Sequence, residues 1–202
     1  GEYTLVETIE GITAADGMLK VEGLDGHPYK ISVVGKNIVI NISGSRDAAQ
    51  NVEWTGAEGS SWDYSSPNFA LNGAATPFVK NDEIVFNDNA TVKTVQLDAK
   101  MIQSGVVVNT NDTYTFNGNG AISGAGDLVK EGNGKLVMEL KNNDYTGRTI
   151  INGGTLSIAD TLDAGQVCPI GTSTAVADNL QINGGRLEFT GTNSSTNRGL
   201  FL

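Results

Sequence analysis

The sequence predicts an all-β chain wound as a solenoid, and three observations predict it. Apolar residues alternate at period two from end to end, the pattern of strands with one dry and one wet face. Glycine supplies 26 of the 202 residues and proline only 4, so short strands are separated by glycine turns rather than by linkers. Ile151-Asn152-Gly153-Gly154-Thr155-Leu156 returns as Ile182-Asn183-Gly184-Gly185-Arg186-Leu187, an offset of about 31 residues that marks stacked repeats. A sandwich would use the same short strands, but the close recurrence favours the coil. Rungs stacked ~4.8 Å apart enclose a core that one rung alone cannot bury.

The elements follow in order. Tyr3 and Leu5 open the alternation, then Tyr29, Ile31 and Val33, then Ile38, Ile40 and Ile42. The polar stretch 44–51 breaks it and is the expected boundary between an N-terminal β segment, 1–43, and a β-helical repeat domain, 52–202. Val52 to Asn81 is less regular and holds both tryptophans, Trp54 and Trp62. From Asp82 the strands are short and regular: Ile84 and Phe86, Tyr114 and Phe116, Leu136, Met138 and Leu140, then Leu156 and Ile158. Leu180 and Ile182, Leu187 and Phe189, and Leu200 and Leu202 close the series. No window of eleven residues holds a helical stripe; Asp160–Ala164 and Thr174–Leu180 are single helical turns at most. Leu136, Met138, Ile151, Leu156 and Ile158 are expected to point inward. Gly153 and Gly184 are expected at equivalent corners, with one glycine of each pair at positive φ.

Composition excludes several functions. With 13 basic and 23 acidic side chains the net charge is −10, which cannot neutralise nucleic-acid phosphates. No apolar run approaches ~18 residues, so no membrane insertion is expected in this segment. A single cysteine, Cys168, and a single histidine, His27, exclude an internal disulfide, a cysteine metal cluster and most triad chemistry. No catalytic residue, metal or cofactor is expected. Gly1-Glu2-Tyr3 reads as the cut end of a longer chain, and Arg198–Leu202 as a strand without a cap. Both ends are expected to need covering by neighbouring repeats.

Gly118–Asp160 carries a dense motif: Gly124, Gly126, Leu128, Lys130, Gly132, Gly134, Leu136 and Met138, then Asn143, Tyr145, Thr146, Gly147, Thr149, Ile151, Gly153, Gly154 and Leu156. In this register the segment resembles the autotransporter-associated β-strand repeat, also called the passenger-associated transport repeat. Trp54-Thr55-Gly56, Trp62-Asp63, Asn68-Phe69 and Asn81–Phe86 resemble its opening pieces more weakly, and residues 1–43 the close of a preceding unit. The resemblance implies a right-handed parallel β-helix, secreted or displayed at a Gram-negative outer membrane within a much longer protein. It implies a non-enzymatic adhesin or display stalk. Its partners would be a host or bacterial surface glycan or protein, together with neighbouring repeats of its own chain. The alternative is a β-helix that binds or degrades glycans.

Candidate chemistry was weighed against structural roles. Trp54, Trp62 and Tyr64 could stack on sugars if exposed, or pack as core if buried. Asn81-Asp82-Glu83, Asn87-Asp88-Asn89 and Asn109–Asp112 offer oxygen ligands for Ca²⁺ but lack a dedicated loop spacing, which favours solvated turns. Asp160 and Asp163 are close in sequence, but glycoside hydrolysis needs a spatial separation of ~5–10 Å that sequence does not show. Gly118-Asn119-Gly120 and Gly124-Ala125-Gly126 lack the following helix of a phosphate loop and read as strand corners. His27 reads as a turn residue and Cys168 as a small apolar core residue.

Overall fold

The computed structural model describes residues 2–7, 29–34, 37–42 and 48–202. The chain divides into two compact units, Gly1–Ala48 and Ala49–Leu202. In the first, β1 (Glu2–Glu7), β2 (Tyr29–Val34) and β3 (Asn37–Ile42) form an antiparallel sheet ordered β1-β3-β2. Central β3 buries adjacent Val39 and Ile40, so both of its faces are covered there.

The second unit is the expected β-solenoid. One sheet stacks β4 (Asn51–Trp54), β7 (Glu83–Phe86), β10 (Gly105–Asn109), β13 (Leu128–Glu131), β15 (Thr149–Ile151) and β17 (Leu180–Ile182) in parallel. A 5-stranded sheet stacks β8 (Thr94–Gln96), β11 (Thr113–Asn117), β14 (Lys135–Met138), β16 (Thr155–Ile158) and β18 (Arg186–Phe189), also in parallel. A third side is regular only where β9 (Lys100–Gln103) pairs with β12 (Ala121–Gly124). Parallel pairing between successive coils excludes the sandwich, whose neighbouring strands run antiparallel. At the first coil, β5 (Phe69–Leu71) and β6 (Ala74–Thr76) add antiparallel to β4 and cover its open edge. No described residue is in an α-helix; the turn expected near Thr174–Leu180 is a 3₁₀ turn at Ala177–Asn179.

Register turns the alternation into columns. Tyr114, Leu136, Leu156 and Leu187 stack in one inward column, and Phe116, Met138, Ile158 and Phe189 in the next. Leu136, Met138, Ile151, Leu156 and Ile158 are all buried, as expected. The two Asn-Gly-Gly segments do fall at one corner, because Ile151 pairs with Ile182 and Thr155 with Arg186. Their backbones differ, however. Gly154 is left-handed at φ 61°, whereas in the second pair Gly184, at 159°, borders on extended chain. The first corner must pass over another coil: a Cβ on Gly154 would lie 2.1 Å from the Gly134 carbonyl oxygen. The second lies beneath the last described coil, where the packing demand is weaker: a Cβ on Gly184 would meet nothing nearer than the Asn152 carbonyl oxygen at 3.0 Å.

Candidate binding surface

The aromatic residues come together at the first coils. Trp62 packs edge-on against Phe69, Phe78 and Phe116, with ring centroids 6.3, 5.6 and 6.2 Å away, and Trp54 against Phe69 at 5.2 Å. Both indoles are fully buried. Trp54 donates its ring N–H to the Val92 carbonyl at 2.8 Å, whereas the Trp62 ring N–H has no acceptor. A face open to solvent, which sugar stacking requires, is presented by neither ring. Tyr64 is half-buried; it packs on Phe78, accepts from the Ile102 N–H and donates to the Lys100 carbonyl.

The acid and amide clusters serve the coil corners. Asp82 accepts from the backbone N–H groups of Gln50 and Val79, closing the turn into β7. Asp88 accepts from the Thr110 hydroxyl and from the backbone and side chain of Asn111 on the following coil, which holds its carboxyl down at about 2. Along the corner after the first sheet the amides pair with one another. Asn87 reaches Glu53 at 2.8 Å, Asn109 and Asn152 both reach Glu131 at 3.4 Å, and Asn183 reaches Asn152 at 3.0 Å. Among the described residues, no group of three His, Cys, Asp or Glu side chains is disposed to hold a metal. Asp160 accepts from the Thr161 N–H and Asp163 from the Asn197 N–H, so both carboxylates brace turns. Cys168 is buried near the Gly171 carbonyl, and His27 lies outside the described residues.

The opposite corner, after the second sheet, differs in kind. A groove of about 650 Å³ crosses successive coils there, within the range of about 300–1,000 Å³ typical of small-molecule sites. Register explains it. Pairing of Phe116 with Met138, Met138 with Ile158 and Ile158 with Phe189 places Asn117, Glu139, Ala159 and Thr190 in one column beyond the strand ends. Ala159 is the small member, and a notch opens over it. Irregular segments wall the notch with Lys141, Pro169 and Asn193, while Val137, Met138 and Ile158 supply an apolar side. Sequence reasoning missed these residues. The signal was present in the polar positions that follow each inward pair, but their juxtaposition depends on loops of unequal length.

Comparison with known proteins supports the resemblance read from the motif. Residues 128–158 match the family model described as the passenger-associated-transport-repeat. The chain is also 48% identical over 91 residues to the adhesin BmaC autotransporter of Brucella suis biovar 1 (strain 1330). That stretch covers 45% of this chain and 2% of the adhesin. No solved structure matches significantly.

Proposed function

We propose that this chain is a non-catalytic β-solenoid module of a bacterial surface adhesin, displayed outside the cell as part of a longer passenger. The observation that carries the reading is the 48% identity to an autotransporter adhesin over residues folded as a stacked coil. Two structural features support it. Each strand inside the stack satisfies its backbone groups against the coil on either side, which makes a rod that transmits length at little loss of order. The polar corners lock coil to coil through side chains such as Asp88, Glu131 and Asn152, without leaving clustered carboxylates free for acid and base work. Its partners in this reading are surface glycans or proteins and neighbouring repeats of its own chain.

The test is display. The chain is fused to a translocating β-barrel in a non-adherent bacterium, and attachment to epithelial monolayers is counted against the barrel alone. Attachment several-fold above the barrel is expected. Attachment equal to the barrel's would refute the adhesive role.

A further inference from the structure

We infer that the groove over Ala159 is a binding site for a neutral oligosaccharide. The inference rests on the adhesive reading, which it deepens by naming a ligand class and a place. Three observations carry it.

The first is unspent polarity. At the corner after the first sheet, Asn87, Asn109, Asn152 and Asn183 are consumed by pairing with each other or with glutamates. In the groove the side chains of Asn117, Glu139, Lys141 and Asn193 make no hydrogen bond or ion pair among the described residues. Amides both donate and accept, and a carboxylate accepts. Such a set meets vicinal hydroxyls, each of which does both.

The second is the apolar side. Val137, Met138, Ile158 and Pro169 give the groove one wall without hydrogen-bonding capacity, against which the C–H face of a pyranose can rest. A ligand that is polar at its rim and apolar on its faces matches this pairing of walls.

The third is what the site refuses. An extended peptide would dock by adding to an open strand edge. Beneath the groove, β11 pairs with β8 and β14, and β14 with β11 and β16; β16 pairs with β14 and β18. Their backbone groups are already used, so recognition must come from side chains. Glu139 and Asp160 in the lining, with a net charge of −10 over the chain, oppose sialylated, sulfated or uronic polymers.

The experiment uses the whole chain. An immobilised array of neutral hexose and N-acetylhexosamine oligosaccharides is probed beside sialylated and sulfated ones, and the best neutral binder is titrated by calorimetry. Two variants are compared: Ala159→Trp, which fills the notch from an exposed position, and Asn117→Ala with Glu139→Gln, which removes polar contacts without adding bulk. Binding to a neutral saccharide is expected, weakened at least tenfold by Ala159→Trp and at least threefold by the double variant, with melting temperatures unchanged. Three results would each overturn the site: no neutral binder at millimolar concentration, preference for the anionic glycans, or equal affinity in the double variant. Display separates the two claims. If the chain attaches to cells and Ala159→Trp attaches equally, the groove fails and the adhesive reading stands. Saccharide bound through the groove without attachment would leave the groove and remove the adhesive reading.

Discussion

Lys130 directs its ammonium from the interior of the coil onto the backbone carbonyl of Gly132, 3.3 Å away. It also donates to the Glu131 carbonyl. Its neighbours in the inward column are Val108 below and Ile151 above, so a charged side chain occupies an apolar position. The carbonyls at the corner explain why a lysine is tolerated there: its stem packs as core and its head satisfies backbone acceptors that no amide reaches.

Replacing Lys130 separates these contributions. Lys130→Met keeps the stem and loses the donor, and is expected to lower unfolding free energy by about 1–3 kcal/mol. Lys130→Ala also leaves a cavity and is expected to cost about 2–5 kcal/mol. Burial pushes the Lys130 pKa down, against the pull of Glu131 and Asp88. The unfolded chain therefore holds more protons in the window between that depressed value and about 10.4, and stability rises with pH across it. Urea midpoints of wild type relative to Lys130→Met should rise through that window. A flat difference would mean the amine is not desolvated.

Asp88 works in the opposite range. Its carboxyl sits at about 2 against an ordinary 3.8, held there chiefly by the Thr110 hydroxyl and then by Asn111. A depressed acid stabilises the fold above its unfolded value and loses that contribution as pH falls through its folded one. The wild type is expected to lose stability between about pH 4 and pH 2, and Asp88→Asn to be less stable at neutral pH and flatter across that interval. Thermal melts at matched ionic strength measure both slopes.

The two tryptophans make a matched pair. Trp54 spends its ring N–H on Val92, and Trp62 buries one with no acceptor. Trp54→Phe should therefore cost about 0.5–1.5 kcal/mol more than Trp62→Phe, since both lose similar area and only one loses a hydrogen bond. Chemical denaturation of the two variants decides it. Equal losses would show that the ring N–H of Trp54 contributes nothing net.

What was legible in the sequence is what alternation can encode. Leu136, Leu156 and their neighbours announce an inward face because each is followed by a polar or small residue, and the coil follows from the recurrence of that face. Alternation fails where a neighbour covers the outer face. In β15 all of Thr149, Ile150 and Ile151 are buried, and Ser157 in β16 is buried although it alternates with inward Leu156 and Ile158. The antiparallel addition of β5 and β6 was also hidden, since their residues carry no distinct pattern. The groove was the least legible feature. Asn117, Glu139 and Ala159 meet only after the chain has closed whole coils of unequal length, and nothing local records that register.

The corner glycines allow the steric and conformational costs of a methyl group to be told apart. Gly154 and Gly165 share a left-handed backbone, at φ 61° and 83°. Their surroundings differ. A Cβ on Gly165 meets nothing within 4 Å, whereas on Gly154 it would lie 2.1 Å from the Gly134 carbonyl oxygen and 2.7 Å from that of Gly132. Gly165→Ala should pay only for the left-handed conformation, about 1–2 kcal/mol. Gly154→Ala carries the same penalty and must also push apart two backbones inside the stack, because neither obstruction is a side chain that can rotate away. It is expected to cost more than about 4 kcal/mol, in the range that marks a specific structural failure. Its effect should also be local to the coils it separates, with amide exchange accelerated at Thr155, whose N–H donates to the Gly134 carbonyl. Urea unfolding and hydrogen exchange on the two variants provide the comparison. Similar losses would mean that coils 134 and 154 can separate by the width of a methyl group without penalty, and that close stacking at this corner is not what requires glycine.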